Sequence, residues 1–210
     1  MILAGESDVR AWLTNDVGCD AVALERLGRL AMLLAQENAR QNLVSAGSLE
    51  QVWLRHFADS AQLLLVSRET GASPWLDLGT GAGFPGLVIA ICRPRLRVRL
   101  VESRKRRIEW LDHAIERLAL PCAETIPSRL EQVETFAAAT ISARAFAPLP
   151  RLVALSARFS TRDTVWLLPK GRNGQNELNE MPKSIRTMFH VEQSLTDRQS
   201  TILVGKGVPQ

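Results

Sequence analysis

The sequence predicts an α/β fold in which helices cover both faces of a mostly parallel sheet. Apolar residues recur at helical spacing in the first third of the chain, and from Trp75 onward short β-rich runs alternate with helical segments. This alternation is typical of parallel strands joined by crossover helices. The last part of the chain instead carries two β-rich runs joined by a short polar turn, which predicts a closing antiparallel hairpin.

Two helices are predicted ahead of the sheet. Leu27, Leu30, Ala31 and Leu34 share one face of a helix over about residues 20–38. The run Ser48-Leu49-Glu50-Gln51 fits the capping-box pattern, so we expect a second helix to begin at Ser48. The apolar side chains that this helix directs inward are Val52, Trp53, Phe57, Leu63 and Leu64. We therefore expect a helical N-terminal extension over residues 1–70, packed on a core over residues 71–210.

Seven runs supply the strands of the predicted sheet. The five of its parallel part are Trp75–Leu78, Leu96–Val101, Ala123–Ile126, Thr140–Ala143 and Val165–Leu168, and the two of the hairpin are Phe189–Ser194 and Thr201–Gly205. Pro148 and Pro150 suit the beginning of a helix after the fourth strand. The polar segment Gly171–Asn179 is predicted to be a surface loop.

Composition limits the possible classes of protein. The chain has 210 residues, of which 46% are hydrophobic, enough for one substantial core. Cys19, Cys92 and Cys122 lack metal-ligand spacing, so we expect reduced thiols, no disulfide framework and no metal. No apolar run approaches the ~18 residues of a membrane span, so we expect a cytoplasmic protein without membrane contact.

The chain carries an excess of basic residues. Its net charge of +4 modestly favours contact with a phosphate backbone. The excess is concentrated in a basic cluster, whose members are Arg93, Arg95, Arg97, Arg99, Arg104, Lys105, Arg106 and Arg107. Two interpretations stay open at this point: an RNA-contacting surface, or a solvated strand face followed by a solvated helix start.

A glycine loop follows the first predicted strand. Glycines allow the backbone to turn sharply and to approach a ligand closely, and the N-terminus of the next helix offers free N–H groups. Glu102 ends the second strand, 19 residues after Gly83, where a carboxylate binds the ribose hydroxyls of a nucleotide cofactor. The loop and Glu102 together predict a nucleotide-cofactor site.

Two registers of glycine predict different cofactors. Gly79, Gly81 and Gly83 have the spacing of S-adenosylmethionine-dependent methyltransferases, whereas Gly81, Gly83 and Gly86 formally match the dinucleotide fingerprint. The second register starts the turn too late, because Pro85 suits the first helical position and leaves Gly86 inside the helix. A nicotinamide-dependent oxidoreductase is therefore the alternative, and the chain has no Tyr for a catalytic Tyr-Lys pair.

Asp77 also favours the methyl donor. A carboxylate at the end of the first strand can hold the ammonium group of S-adenosylmethionine directly or through water, whereas it would repel a pyrophosphate. We therefore expect a Rossmann-like class I methyltransferase fold with a seven-stranded, mostly parallel sheet.

The segment Ser142–Pro150 should show which acceptor is methylated, since it follows the fourth strand. It has neither the Asn/Asp-Pro-Pro-aromatic pattern of exocyclic-amine methylation nor the cysteine of pyrimidine-carbon methylation. Purine N7 needs neither feature, because its lone pair carries no proton, and catalysis would then consist mostly of positioning. Arg144 could donate to guanine O6, beside N7; a structural arginine bonded to backbone or cofactor is an equal alternative.

Several motifs in order resemble one known family. They are Asn42-Leu43-Val44-Ser45, Leu54-Arg55-His56-Phe57-Ala58-Asp59-Ser60, the loop from Gly79 to Gly86, Ser142–Leu149 and Leu168-Pro169-Lys170-Gly171. On these residues the chain resembles the glucose-inhibited division protein B family, the small-subunit ribosomal RNA guanine-N7 methyltransferases called RsmG. The resemblance implies methylation of a guanine at the 527-type position of 16S ribosomal RNA, with the RNA or the small ribosomal subunit as partner and no obligate protein partner. The chain departs from the family pattern at Glu102, where Asp is expected more often.

The resemblance also implies roles for individual residues. Gly79 and Phe84 would line the cofactor pocket, Leu130 and Glu131 would flank the adenine, and Arg144 would close the site without acting as an acid or base. The residues expected to contact substrate RNA are Arg55, His56, Arg104, Lys105, Arg144 and Lys170, of which Lys170 could contact the cofactor instead. We expect a monomer, and a non-catalytic RNA-binding protein of the same fold is a further alternative.

His56, Asp59 and Ser60 lie on one helical face. The set superficially resembles a hydrolase triad, but three residues within one helical turn seldom reach that geometry. Helix-to-core hydrogen bonding, or a role in shaping the RNA or cofactor pocket, is the preferred interpretation.

Overall fold

One mixed sheet organises the protein. The computed structural model describes residues 3–67 and 73–209. Within them the strands are β1 Trp75–Leu78, β2 Val98–Glu102, β3 Ala123–Pro127, β4 Thr140–Ala143, β5 Val165–Lys170, β6 Phe189–Gln193 and β7 Thr201–Lys206. Their order is β3-β2-β1-β4-β5-β7-β6, with β1 to β5 parallel and β7 antiparallel to both of its neighbours, β5 and β6. The predicted mostly parallel, seven-stranded sheet with an antiparallel C-terminal hairpin is confirmed.

Alternating side chains divide the apolar core into two clusters, one on each face of the sheet. Trp75 and Leu167 belong to one cluster, and their neighbours Leu76, Trp166 and Leu168 belong to the other. Successive strand residues point to opposite faces, and both faces here are apolar. Such a sheet needs helices on both sides, as the sequence predicted.

Helices cover each face. They are α1 Glu6–Asn15, α2 Ala21–Gln41, α3 Ala46–Glu50, α4 Asp59–Val66, α5 Gly86–Cys92, α6 Lys105–Arg117, α7 Leu149–Ser156, α8 Gly174–Asn179 and α9 Lys183–Arg186. The first cluster contains the buried apolar side chains of α1, α2 and α4 to α6, and the second contains those of α7 to α9. The N-terminal helices therefore share a core with the sheet. The predicted boundary between residues 70 and 71 lies outside the described residues.

The predicted start of the second helix is wrong by three residues. Ser45 caps α3 by accepting a hydrogen bond from the Ser48 N–H, and Ser48 lies inside the helix. The capping pattern at Ser48 is outcompeted because Ser45 already provides an N-cap oxygen one turn earlier. The chain then forms a π-helical turn over Trp53–Ala58 before α4 begins. The five side chains predicted to point inward from this region are all buried.

The segment Gly171–Asn179 is not wholly a loop, as was predicted, because Gly174–Asn179 forms α8. Leu178 is buried in the second core cluster, so one apolar contact orders a segment whose composition is polar. All three cysteines are free thiols. Cys19 and Cys92 are buried in the same core cluster, although they are far apart in the sequence.

The strand order places the functional region. Strand β1 pairs with β2 on one side and with β4 on the other. The strands that follow β1 in the chain are therefore added first on one side of it, as β2 and β3, and then on the other side, from β4 onward. In open α/β sheets, ligands bind beyond the carboxyl ends of the strands that flank such a switch point. The glycine loop follows β1 and the segment with Arg144 follows β4, so both meet at this edge.

Candidate functional site

The glycine loop turns in a way that only glycine adopts without strain. Gly79, Gly81 and Gly83 have φ values of +59°, +58° and +100°, in the region that other residues adopt only at a cost. A Cβ on Gly83 would lie 2.3 Å from Leu87 Cδ1. The methyltransferase register of glycines is therefore the register of the turn itself. Gly86, which the dinucleotide register requires in the turn, is the first residue of α5.

Asp77 ties the loop to the sheet. Its carboxylate is fully buried, with Oδ1 accepting from Ser142 Oγ at 2.8 Å. Oδ2 accepts from Thr80 Oγ1 at 2.5 Å and from the Gly86 N–H at 3.0 Å. Burial raises the pKa of Asp77 to about 6, although these hydrogen bonds oppose the rise. The carboxylate thus joins β1, the loop, α5 and β4.

The N-terminus of α5 differs from the sequence-based expectation. Its free N–H groups were predicted to face a ligand, but the Gly86 N–H donates to Asp77 and the Leu87 N–H donates to the Gly83 carbonyl oxygen. Both groups are satisfied inside the protein. Any ligand of this loop is therefore held by other groups.

Glu102 stands at the end of β2, as predicted, and holds the loop from the other side. Its Oε2 accepts from the Gly81 N–H at 3.1 Å. Its Oε1 accepts from the N–H groups of Ser103 at 2.7 Å and Arg104 at 2.9 Å. The guanidinium of Arg107 lies 3.9 Å from Oε2. These bonds fix the carboxylate before any ligand arrives.

A cavity of about 430 Å³ opens at the ends of β1 to β4, and we call it the smaller cavity. Four residues predicted to bind the cofactor line it, namely Gly79, Glu102, Leu130 and Glu131. Arg104, which was predicted to contact RNA, lines the same cavity. The remaining cofactor candidates on the loop, Asp77, Gly81, Gly83 and Phe84, do not line it and instead shape the loop behind it. The volume lies within the usual range for small-molecule sites.

A second cavity, the larger cavity, has a volume of about 940 Å³. Four residues predicted to contact RNA line it, namely Arg55, His56, Arg144 and Lys170. Its other walls come from the segment after β4 and from the turn between β6 and β7. The two cavities share one stretch of chain, residues 145–148.

Arg144 is anchored at the wall of the larger cavity. Its guanidinium donates to His56 Nδ1 at 3.1 Å and to Asp59 Oδ2 at 3.4 Å. Asp59 Oδ1 in turn accepts from Thr196 Oγ1 at 2.9 Å and from Gln62 Nε2 at 3.0 Å. The arginine is therefore held by neighbouring side chains, as the structural alternative expected, and still borders the cavity. Among the described residues it lines the larger cavity and not the smaller one.

His56 is uncharged in this arrangement. Its ring stacks on Phe84, with centroids 4.7 Å apart and planes inclined by 10°. Burial, together with the positive charges of Arg144 and Arg55, lowers the pKa of His56 from 6.5 to about 3. Because a guanidinium can only donate, Nδ1 accepts and the proton of the neutral ring lies on Nε2. Phe84 itself is only 2% exposed and lies beneath the histidine.

The hydrolase arrangement is not formed. Within residues 3–67 and 73–209, neither Ser60 Oγ nor His56 Nε2 has a hydrogen-bond partner. A nucleophilic serine needs a base within hydrogen-bonding distance. Asp59 contacts Arg144 rather than the histidine ring and also bonds to Thr196. His56 and Asp59 line the larger cavity, so hydrogen bonding to the rest of the protein and shaping of the pocket, the two interpretations left open for this helical face, both agree with the geometry.

Lys170 lies at the end of β5, where its Nζ is 2.8 Å from Glu177 Oε2 of α8. The side chain of Lys170 is only 12% exposed. Within the basic cluster defined above, Arg93 donates to the carbonyl oxygens of Val17 and Cys92, and Arg99 pairs with Glu124. Lys105 is 90% exposed. Because β2 runs from Val98 to Glu102, the members of the cluster before Val98 and those after Glu102 lie at opposite ends of this strand.

Sequence patterns missed part of the larger cavity. Ser194 and Thr196, in the turn after β6, line it and are linked to Asp59 and Gln62 of α4. Phe146 lies on the wall that the two cavities share. Sequence patterns indicated the segment Ser142–Pro150 that contains it but assigned Phe146 no role of its own. The sequence predicts a polar turn after β6, but no pattern links the turn to α4, because its partners lie 132 or more residues away along the chain.

Comparison with known proteins identifies the family. Residues 23–202 match the family described as GidB: rRNA small subunit methyltransferase G. The chain belongs to this family. A relative from Novosphingobium aromaticivorans named "Ribosomal RNA small subunit methyltransferase G" is 56% identical over 207 residues, which cover 98% of this chain and 90% of the relative. One from Erythrobacter litoralis with the same name is 53% identical over 98% of both chains.

Solved structures agree in fold. A putative O-methyltransferase from Klebsiella pneumoniae has a TM-score of 0.60 at 14% identity and covers 97% of both chains. Membership in a methyltransferase family confirms that the cofactor is S-adenosylmethionine and not a nicotinamide dinucleotide.

Neither a metal site nor a membrane-spanning helix is found among the described residues. In residues 3–67 and 73–209, no group of three or more His, Cys, Asp or Glu side chains is arranged to hold a metal ion. In the same residues, no helix has both the length and the apolar character needed to cross a membrane.

Proposed function

We propose that the protein transfers the methyl group of S-adenosylmethionine to N7 of a guanine in small-subunit 16S ribosomal RNA, at the 527-type position. The observation that carries this proposal is the pair of cavities with a common wall at residues 145–148. The smaller cavity is built on the glycine loop of a methyltransferase family, and the larger one is bordered by cationic side chains. Such a pair suits a small donor and a large anionic acceptor that meet at one boundary.

The residues of the smaller cavity fit the methyl donor. Gly79 brings bare backbone to the cavity wall, and Glu102 offers carboxylate oxygens suited to ribose hydroxyls. Leu130 and Leu155 provide apolar surface for an adenine ring. The two carboxylates behind and beside the loop, Asp77 and Glu102, supply negative charge suited to a cationic donor. When bound, S-adenosylmethionine supplies an electrophilic methyl group on a sulfonium.

The residues of the larger cavity suit guanine N7. Attack by N7 uses a lone pair in the plane of the ring, so no proton must be removed and no general base is needed. His56 agrees with this chemistry, because its lowered pKa keeps it neutral and its Nδ1 is occupied by Arg144. Arg144 would donate to guanine O6, which distinguishes guanine from adenine. Catalysis then rests on holding N7 in line with the methyl group.

Charge at the cavity rim suits an RNA strand. Arg55 is 46% exposed and Lys170 borders the same cavity, so both can face phosphate groups. Arg104 lines the smaller cavity, and Lys105, the next residue along the chain, is exposed; both would contact RNA that extends across this cavity. Binding through such contacts weakens as salt concentration rises.

One assay tests the proposal. The protein is incubated with methyl-labelled S-adenosylmethionine and either small ribosomal subunits lacking the modification or 16S RNA extracted from them. The RNA is then digested and the labelled nucleoside is identified by mass spectrometry. We expect 7-methylguanosine, and label in any other nucleoside would contradict the acceptor assignment. Salt-dependent RNA binding without transfer to either substrate would favour the non-catalytic RNA-binding alternative.

A further inference from the structure

The wall between the two cavities contains one large aromatic ring. Residues 145–148 line both cavities, and Phe146 is the one Phe or Trp among the described residues that line them. Its side chain is partly exposed. The ring packs in part against the second core cluster, and the surface that it leaves uncovered faces the cavities and is available to a ligand.

The backbone holds this ring at the end of β1. A Cβ placed on Gly79 would lie 2.3 Å from Phe146 Cδ2, so the ring packs where only a glycine permits it. The preceding residue, Ala145, has φ of +53°, a conformation that costs energy for a residue with a Cβ. Strain of this kind is concentrated at functional sites. Ala145 turns the chain so that the ring lies over the glycine loop.

The ring lies beside groups that can read a purine. Arg144 is two residues away and borders the larger cavity, where its guanidinium is fixed by His56 and Asp59. A base removed from its stack is commonly held by an aromatic face together with donors to its edge. Phe146 offers the apolar surface and Arg144 offers the donors. The smaller cavity already has apolar surface for an adenine in Leu130 and Leu155.

We propose that Phe146 stacks on the target guanine and thereby places N7 at the boundary between the cavities. It is then a base-contacting residue that contributes to acceptor binding and to the placement of N7, whereas Arg144 distinguishes guanine from adenine. This inference rests on the proposed function, because it assigns the base that the methyl transfer would modify. The competing role for the ring is contact with the methyl donor.

The test uses variants that separate aromatic stacking from apolar packing. Phe146→Leu and Phe146→Met keep apolar bulk against Gly79 but remove the flat ring, and Phe146→Tyr keeps the ring. The matched control is Phe136→Leu, since Phe136 is also partly exposed but packs against Phe159 and Arg99 and lines neither cavity. For each variant, calorimetry gives the Kd for S-adenosylmethionine, and initial rates give kcat and KM for small subunits.

We expect the Leu and Met variants to lose about 5- to 150-fold in kcat/KM for small subunits, the range that corresponds to stacking of one base. Their donor Kd should be unchanged, and the Tyr variant and the control should behave like the unchanged protein. A weakened donor Kd with unchanged kcat at saturating donor would assign the ring to the donor and overturn the inference. Unchanged kcat/KM in the Leu and Met variants would also overturn it. If the Leu variant fails to fold by circular dichroism, the Met and Tyr pair decides.

Failure of the proposed function is a separate result. If the unchanged protein labels a nucleoside other than 7-methylguanosine, the acceptor assignment is wrong whatever Phe146 does. If it forms 7-methylguanosine at the same rate as the Leu and Met variants, only the stacking inference is wrong.

Discussion

The two cavities are built in different ways. The smaller cavity rests on strand ends, on a glycine backbone and on Glu102, whose oxygens are held by backbone N–H groups. The larger cavity rests on charged and polar side chains from segments far apart in the chain, with Arg144 linked to Asp59 and Asp59 linked to Thr196. The first is fixed by local geometry and the second by a network of side chains.

This difference indicates a division of work. A cofactor of constant shape suits the smaller cavity, whose form is set by the backbone. An RNA segment must be bound through charge and released again, which suits the side chains of the larger cavity. We therefore expect substitutions in the glycine loop to affect donor binding first. Substitutions in the side-chain network should affect the RNA acceptor and leave donor binding intact.

The largest expected effect comes from Gly79→Val. The left-handed φ of Gly79 costs a β-branched residue about 1–3 kcal/mol, and the new side chain would collide with Phe146. We expect donor binding to be lost at concentrations that saturate the unchanged protein, as measured by equilibrium dialysis. Gly47→Val is the matched control, because no atom lies within 4 Å of a Cβ at Gly47. Donor affinity retained by a folded Gly79→Val protein would contradict this account of the smaller cavity.

Arg144→Ala should affect the larger cavity and therefore the RNA acceptor. Loss of the donors to guanine O6 should lower kcat/KM for small subunits by up to about 150-fold, since a good arginine-guanine pair contributes about 1–3 kcal/mol of discrimination. The Kd for S-adenosylmethionine should not change. Arg144→Lys should recover little, because lysine lacks the planar fork.

The control for Arg144 is Arg162→Ala. Arg162 is 92% exposed, pairs with the adjacent Asp163 and lines neither cavity. A donor Kd that weakens in the Arg144 variant, but not in the Arg162 variant, would mean that Arg144 serves the donor and that the two cavities are not independent.

The same contrast explains how much the sequence could predict. The strands were predictable because each is a short β-rich run between helical or turn segments, and β1 and β4 match their predicted bounds, Trp75–Leu78 and Thr140–Ala143. The loop was predictable because its glycines and Glu102 lie within one βα unit. Gly81 and Glu102, which are hydrogen-bonded, are only 21 residues apart.

The larger cavity was predictable only in part. The family motifs located Arg55, His56, Arg144 and Lys170, but not the contacts that hold them. The bond from Thr196 to Asp59 spans 137 residues, and no periodicity encodes such a pair. Helix α8 was missed for a similar reason, because its polar composition indicated a loop and its order comes from tertiary contacts of Leu178.

His56 makes the side-chain network sensitive to acid. Because its pKa is lowered from 6.5 to about 3 in the folded protein, the unfolded chain takes up a proton first as the pH falls below 6.5. Its contribution to stability is therefore complete above pH 6.5 and is lost toward pH 3. We expect the free energy of unfolding to fall by up to about 1.4 kcal/mol more per pH unit in this range than in His56→Gln.

Urea unfolding between pH 4 and 7 measures this difference. Asp77, whose pKa is raised, gives the opposite slope between about pH 3.8 and 6, but it is present in both proteins and cancels in the comparison. His113→Gln, at an exposed position of α6, should follow the unchanged protein. Equal slopes for the His56 variant and the unchanged protein would mean that His56 does not stay neutral in the fold.

Glu177→Gln should give the smallest effect and sharpen the account of the RNA-facing side. Glu177 lies 2.8 Å from Lys170 and 33% of its side chain is exposed, so its carboxylate partly cancels the cation and would repel a phosphate. Removing this charge should tighten RNA binding about two- to fivefold, in keeping with the modest energy of a partly exposed ion pair. It should also make the slope of log K against log salt steeper by about one. Fluorescence anisotropy across a salt series measures both quantities.

Glu124→Gln is the control for this change, because it adds the same net charge at strand β3, where Glu124 pairs with Arg99 away from the cavities. Equal tightening in both variants would mean that RNA affinity depends on the net charge of the protein and not on the charge at the larger cavity. Weaker binding in the Glu177 variant alone would mean that Glu177 positions Lys170 for its contact instead of masking it. We expect tighter RNA binding in the Glu177 variant alone, with an unchanged donor Kd. This result would place the RNA backbone at Lys170 and would show that the two cavities bind donor and RNA independently.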